Sequence, residues 1–136
     1  MSEGIRKEVA EAGTILRATV GSKLHGLNLL GTDDTDEMGV CIEPPEYVIG
    51  LRTFEHFIYR TQPEGMPSGP GDLDLSIYSL RKYVRLALGG NPSILLLLFA
   101  PEKMCSVRKR EGKELQGLAS AFVARSAASP FLGYLT

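Results

Sequence analysis

Two carboxylates one residue apart, Asp34 and Asp36 in the run Asp33-Asp34-Thr35-Asp36, are the residues of this 136-residue chain whose spacing best suits chemistry. On an extended backbone alternate side chains point the same way, so both acids can reach one hard cation through oxygen ligands. Gly21-Ser22 precedes them, with eleven residues between. A glycine and a serine where a strand runs into a turn leave backbone N–H groups and a hydroxyl open to phosphate oxygens. A metal clamp beside a phosphate cradle suits phosphoryl chemistry, in which cations bridge phosphate oxygens and neutralise developing charge. A calcium loop of the EF-hand type does not fit. Counted from Asp34, Met38 falls at a ligand position and Pro45 where the closing glutamate belongs.

Elements must hold these groups in place. Ile5, Val9 and Ala12 recur at helical spacing and stop at Gly13, which predicts a helix over Glu3 to Ala12. Leu16, Ala18 and Val20 alternate with Arg17 and Thr19, the period of a half-buried strand over Thr14 to Val20 that delivers Gly21-Ser22 at its end. Ser22 to Leu27 suits one or two helical turns and Asn28 to Asp33 a loop. A second strand is expected over Asp36 to Ile42, stopped by Pro44 and Pro45, and a third over Phe54 to Arg60. Thr61 to Gly71, with three prolines and three glycines, reads as a loop. Asp72 to Tyr78 then alternates Asp72, Asp74, Ser76 and Tyr78 against Leu73, Leu75 and Ile77, a fourth strand with both acids on one face. Leu80, Tyr83, Val84, Ala87 and Leu88 line one side of an amphipathic helix over Ser79 to Leu88, with Arg81, Lys82 and Arg85 opposite. Asn91-Pro92 supplies an N-cap and a first-turn proline for a buried helix through Ile94 to Phe99, and Val107 to Arg125 is expected to be helical. The run Leu95 to Leu98 belongs to the core, and Arg108-Lys109-Arg110 with Lys113 to a solvated helix face.

With 43% hydrophobic and 23% charged residues, the chain has enough apolar side chains for one packed core. Cys41 and Cys105 show no metal-ligand spacing and read as reduced thiols, which points to a cytoplasmic location. The longest apolar run, Ile94 to Ala100, is far short of the roughly 18 residues of a membrane span. The formal net charge is -1, but residues 1 to 78 hold six Lys/Arg against thirteen Asp/Glu and residues 79 to 136 hold nine against three. An acidic half can gather cations and a basic half can meet phosphates.

The blocks Gly-Ser-Lys-Leu-His-Gly at 21 to 26, Asp-Asp-Thr-Asp-Glu-Met-Gly-Val at 33 to 40, and Tyr-Ser-Leu-Arg-Lys-Tyr at 78 to 83 followed by Gly-Asn-Pro at 90 to 92 occur in order. Together they resemble the DNA polymerase beta-like nucleotidyltransferase superfamily, in particular its bacterial and phage predicted nucleotidyltransferases, over roughly residues 14 to 100. The resemblance implies an α/β (α+β) fold, a small mixed β-sheet of about four strands with helices on one face and the metal site on the other. On this reading residues 1 to 100 are expected to form the catalytic core and 101 to 136 a C-terminal helical extension. It implies Asp34 and Asp36 as the first two metal ligands and Gly21 with Ser22 on the triphosphate. Asp74, or Asp72 in its place, becomes the third ligand and the base for the incoming hydroxyl. Lys23, Arg81 and Lys82 are candidates to neutralise the triphosphate.

The implied reaction moves a nucleoside monophosphate from a nucleoside triphosphate to a hydroxyl of RNA, protein or a small molecule, releasing pyrophosphate, with two Mg2+ ions, or Mn2+, as cofactors. The competing reading is a degenerate module that binds nucleotide, RNA or a protein partner without turnover. The chain stops within an apolar stretch, so it is expected to be truncated, to assemble with a partner, or to complete its site by pairing with a second copy through Phe131, Leu132, Tyr134 and Leu135.

Overall fold

The computed structural model describes residues 2–22, 35–61 and 73–125, with the backbone alone at 21 and 22. The readings of a helical turn at Ser22 to Leu27, loops at Asn28 to Asp33 and Thr61 to Gly71, and a C-terminal docking segment lie largely or wholly outside these residues.

The first helix, α1 (Glu3–Gly13), is capped by Ser2, whose side chain accepts from the Ile5 N–H at 3.3 Å, and it buries Val9 and Ala10. It leads without a loop into β1 (Thr14–Ser22), which pairs antiparallel with β2 (Thr35–Cys41). After Pro44 and Pro45 a single turn, α2 (Glu46–Ile49), precedes β3 (His56–Arg60). β4 (Leu73–Ser79) runs straight into α3 (Leu80–Leu88), where the Ser79 hydroxyl accepts from the Lys82 N–H. Asn91 caps the short α4 (Pro92–Leu95), and its side chain accepts from the Ser93 N–H at 3.0 Å. That helix tightens into a 3-10 turn over Leu96–Phe99. β5 (Cys105–Arg108), α5 (Arg110–Gly117) and a helical stretch at 119–125 complete the described chain.

Among the described residues five strands form one mixed sheet in the order β3-β4-β2-β1-β5. Only β2 and β4 run parallel; the other neighbours are antiparallel. The α+β class expected from the sequence is what the fold shows, with three differences of detail. A fifth strand, β5, takes Val107 and Arg108, where the expected helix was to begin, because this short segment pairs with the open edge of β1 and tertiary pairing outweighs local propensity. Helices also cover both faces. On one, Val9 and Ala10 of α1 pack with Phe57, Leu75 and Ile77; on the other, Tyr83 and Ala87 of α3 pack with Leu16, Ala18, Met38 and Val40. Third, Leu97 and Leu98 are buried but Leu96 and Phe99 are half exposed, because side chains three apart eclipse in a 3-10 turn and this pair faces outward.

Fully burying a large apolar side chain is worth about 1.5–3 kcal/mol. Leu16, Val40, Ile77 and Leu97, each almost wholly inaccessible, therefore anchor the sheet and the turn that covers it. Polar ties join the last third of the molecule. The Gln116 amide donates to the carbonyls of Leu97 (3.1 Å) and Ala100 (3.0 Å), while the Arg108 Nε donates to Gln116 Oε1 at 2.8 Å.

Candidate active site

The parallel pairing of β2 and β4 decides the geometry of the site. Asp36 is the second residue of β2 and Asp74 the second of β4, and the register sets them directly opposite one another. Paired residues share a face, so both carboxylates lie on the side that also carries Met38, Ser76 and α3. Neighbouring strands are about 4.8 Å apart, which places the two acids within reach of one cation with oxygen bonds of roughly 2.0–2.6 Å. Two like charges in adjacent rows repel, and a positive charge between them relieves that cost.

The other two strands end here as well. β1 runs antiparallel to β2 and brings Gly21 opposite Asp36 and Ser22 opposite Thr35, after a register shift between Thr19 and Gly21. Irregularities of this kind re-aim a strand end beside a site. On the far side β3 sets Arg60 opposite Asp74, and the Arg60 Nε donates to Asp74 Oδ1 at 2.9 Å. Both partners are partly exposed, so this pair is worth only a few tenths of a kcal/mol to the fold, up to about 1. Its value is in orientation, since it holds one oxygen of Asp74.

A cavity of about 220 Å³ opens above the carboxylates, floored by Val20 and Met38 and walled by Ser93 of α4 and Leu96 of the 3-10 turn that follows it. A larger cavity of about 410 Å³ lies at Ile5, Arg6, Arg52 and Thr53 and brings no carboxylate from its described lining. Among the described residues no group of three His, Cys, Asp or Glu side chains is arranged to hold a metal. Asp34, Asp72 and Lys23 lie outside those residues, so the pair Asp36 and Asp74 is the described part of the expected ligand set. Two carboxylates in register on one face are the donor chemistry that a hard divalent cation takes.

A family model described as the RNA repair pathway DNA polymerase beta family matches residues 3–136. The chain belongs to that family. The match agrees with the polymerase beta-like superfamily that the three sequence blocks resemble, and it extends through the segment beyond residue 100. No curated protein and no solved structure matches the chain. Among the described residues no helix is long and apolar enough to cross a membrane.

The remaining sequence candidates fall elsewhere in this family member. Arg81 and Lys82 start α3 at the opposite end of β4 from Asp74, where they line a separate cavity of about 170 Å³. The Lys82 ammonium donates to His56 Nδ1 at 2.7 Å, which requires a neutral ring carrying its proton on Nε2. Burial, and next the Lys82 charge, hold the His56 pKa below its ordinary value, in keeping with that hydrogen bond. Arg60, Ser76 and Ser93 border the paired acids and were not singled out from the sequence. Ser76 alternates with Asp74 and was legible as a face-mate; Arg60 and Ser93 reach the site only through tertiary pairing and packing.

Proposed function

We propose that this chain is a metal-dependent nucleotidyltransferase that transfers a nucleoside monophosphate from a nucleoside triphosphate to a hydroxyl of RNA, releasing pyrophosphate. The observation that carries the reading is the in-register pairing of Asp36 and Asp74 at the strand ends where Gly21 and Ser22 also arrive. The family description supports RNA as the acceptor class.

In this reading Asp36 and Asp74, with Asp34, hold divalent cations. A bound cation supplies neutralisation of triphosphate charge and alignment of the attacking and leaving oxygens. Gly21, Ser22 and Lys23 take the triphosphate, and the cavity below Ser93 and Leu96 receives the nucleoside. The carboxylate of Asp74 accepts the proton of the acceptor hydroxyl as its oxygen bonds to the α-phosphorus and the bond to pyrophosphate breaks. Arg60 keeps that carboxylate turned toward the reacting oxygen by its hold on Oδ1.

The Arg60–Asp74 ion pair also favours one specific alternative, a module that binds nucleotide without turnover because an arginine occupies the third acid. One assay separates the two. The protein is incubated with each α-labelled nucleoside triphosphate and an RNA bearing a free 3′ hydroxyl, with Mg2+, with Mn2+ and with EDTA. Metal-dependent label on the RNA together with free pyrophosphate supports transfer. Metal-dependent nucleotide binding by calorimetry, with no product on any acceptor in a cell extract, establishes the binding module instead.

A further inference from the structure

Glu43 is the least expected charge in the molecule. It lies two residues past the end of β2, is only 9% exposed, and makes no hydrogen bond or ion pair among the described residues. Burying a carboxylate without a partner is costly, which makes such a group a place where a ligand can provide the missing donors. Glu43 lines the 170 Å³ cavity between α2 and the first turn of α3, together with Tyr47, Ser79, Arg81, Lys82, Arg85 and the half-exposed Glu55 at its rim.

This cavity has two chemically distinct parts. Its α3 wall is an anion site: the Ser79 hydroxyl caps the Lys82 N–H, the other first-turn N–H groups have no acceptor within the helix, and three cations project from this nine-residue helix. Among the described residues Arg81 makes no ion pair, and Arg85 has a loose one to Glu55 at 3.8 Å. Lys82 is engaged by His56 and lies 3.8 Å from Glu55. The other part is Glu43, an acceptor that asks for N–H or O–H donors. A simple phosphate satisfies the first part and is repelled by the second; an amine does the reverse. A ligand carrying a phosphate at one end and ring N–H, amino or hydroxyl donors at the other satisfies both.

We propose that the cleft between α2 and α3 is a second nucleotide subsite, binding a phosphorylated nucleoside with its phosphate on Arg81, Arg85 and the α3 N-terminus and its donor groups on Glu43. The subsite is separate from the paired acids. Ser79 is five residues along β4 from Asp74, about 16 Å at the rise of an extended strand. The occupant is therefore either a free mononucleotide or a nucleotide of an RNA strand whose end lies at Asp36 and Asp74. The second case rests on the transfer reading above; the first does not.

Calorimetry on the full chain in EDTA, which strips cations from the paired acids, tests the subsite with the four ribonucleoside monophosphates and with a short single-stranded oligoribonucleotide. The wild-type protein is expected to bind, with a Glu43→Gln variant and an Arg81→Ala/Arg85→Ala variant each weakened about tenfold or more. Loss of the subsite is read from binding in EDTA by the Glu43 and arginine variants, and loss of transfer from the labelled-triphosphate assay on the same variants, so the two failures are distinguished. Binding of monophosphates assigns the free nucleotide; binding of the oligoribonucleotide alone assigns the strand. Because Glu43 is buried, the thermal melt of its variant is compared with wild type, and the exposed arginine pair provides the test if that variant does not fold. No binding by either probe class, or binding that the folded variants leave intact, overturns the proposal.

Discussion

The proposed chemistry rests on a single acid at the start of each of two strands, and its consequence is steep. Replacing Asp36 or Asp74 with Asn keeps size and removes charge, so transfer should fall roughly 100-fold or more in kcat while the thermal melt barely moves. Full activity in both variants under initial-rate conditions would sink the assignment. Asp36 was legible as a candidate ligand because it alternates with Asp34, whereas its pairing with Asp74 depended on register, a one-residue slip of which would turn Asp74 to the other face. A different single atom matters for stability. The Tyr83 hydroxyl is wholly buried and donates to the Ile94 carbonyl at 2.6 Å, tying α3 to α4. Tyr83→Phe leaves that carbonyl without its donor and should cost about 1–2 kcal/mol, seen as a lower midpoint in urea at unchanged slope.

Between elements, close approach rather than propensity governs the C-terminal third. Gly112 lies in α5 where the helix crosses β1, and a Cβ there would run into the Ile15 carbonyl oxygen. That carbonyl cannot retreat freely, because it accepts from the Lys109 N–H at 2.9 Å. Alanine gains about 1 kcal/mol of helix propensity over glycine, yet overpacking against a fixed backbone costs about 1–3 kcal/mol. Gly112→Ala is therefore expected to destabilise the fold, and a melting temperature equal to or above wild type would contradict the crossing geometry. Local pattern reading found α1, β1, β2, β3, β4 and α3 because each has a clear period or a capping residue. It missed β5 because Cys105–Arg108 is too short to show alternation and exists only as an addition to the edge of β1. The single turn α2 was hidden for a related reason, since four residues after two prolines carry no helical period.

At the scale of the whole molecule, the two cores make stability fall in alkali. Burial, and secondarily the Glu43 carboxylate, push the Cys41 thiol up to about 12, and burial raises the Tyr83 phenol as well. A folded pKa above the unfolded value means that the native state holds the proton more tightly. The stabilisation is then complete below the unfolded values, near 9 and 10, and is lost as pH rises through them toward the folded ones. Urea midpoints should hold steady between pH 7 and 8 and decline above about pH 9. Thiol reagents at neutral pH should modify Cys41 only on unfolding, while the partly exposed Cys105 reacts sooner. What the amino-acid sequence determined by itself was the set of elements with strong periods, the mixed α+β class and the acids suited to a cation, because these depend on residue type and on spacing along one strand or helix. The tertiary structure alone decided that β2 and β4 lie side by side and parallel, that Arg60 meets Asp74, and that Glu43 is buried in a cleft it shares with Arg81. Each of those depends on contacts between residues distant in the chain, whose register no local pattern encodes.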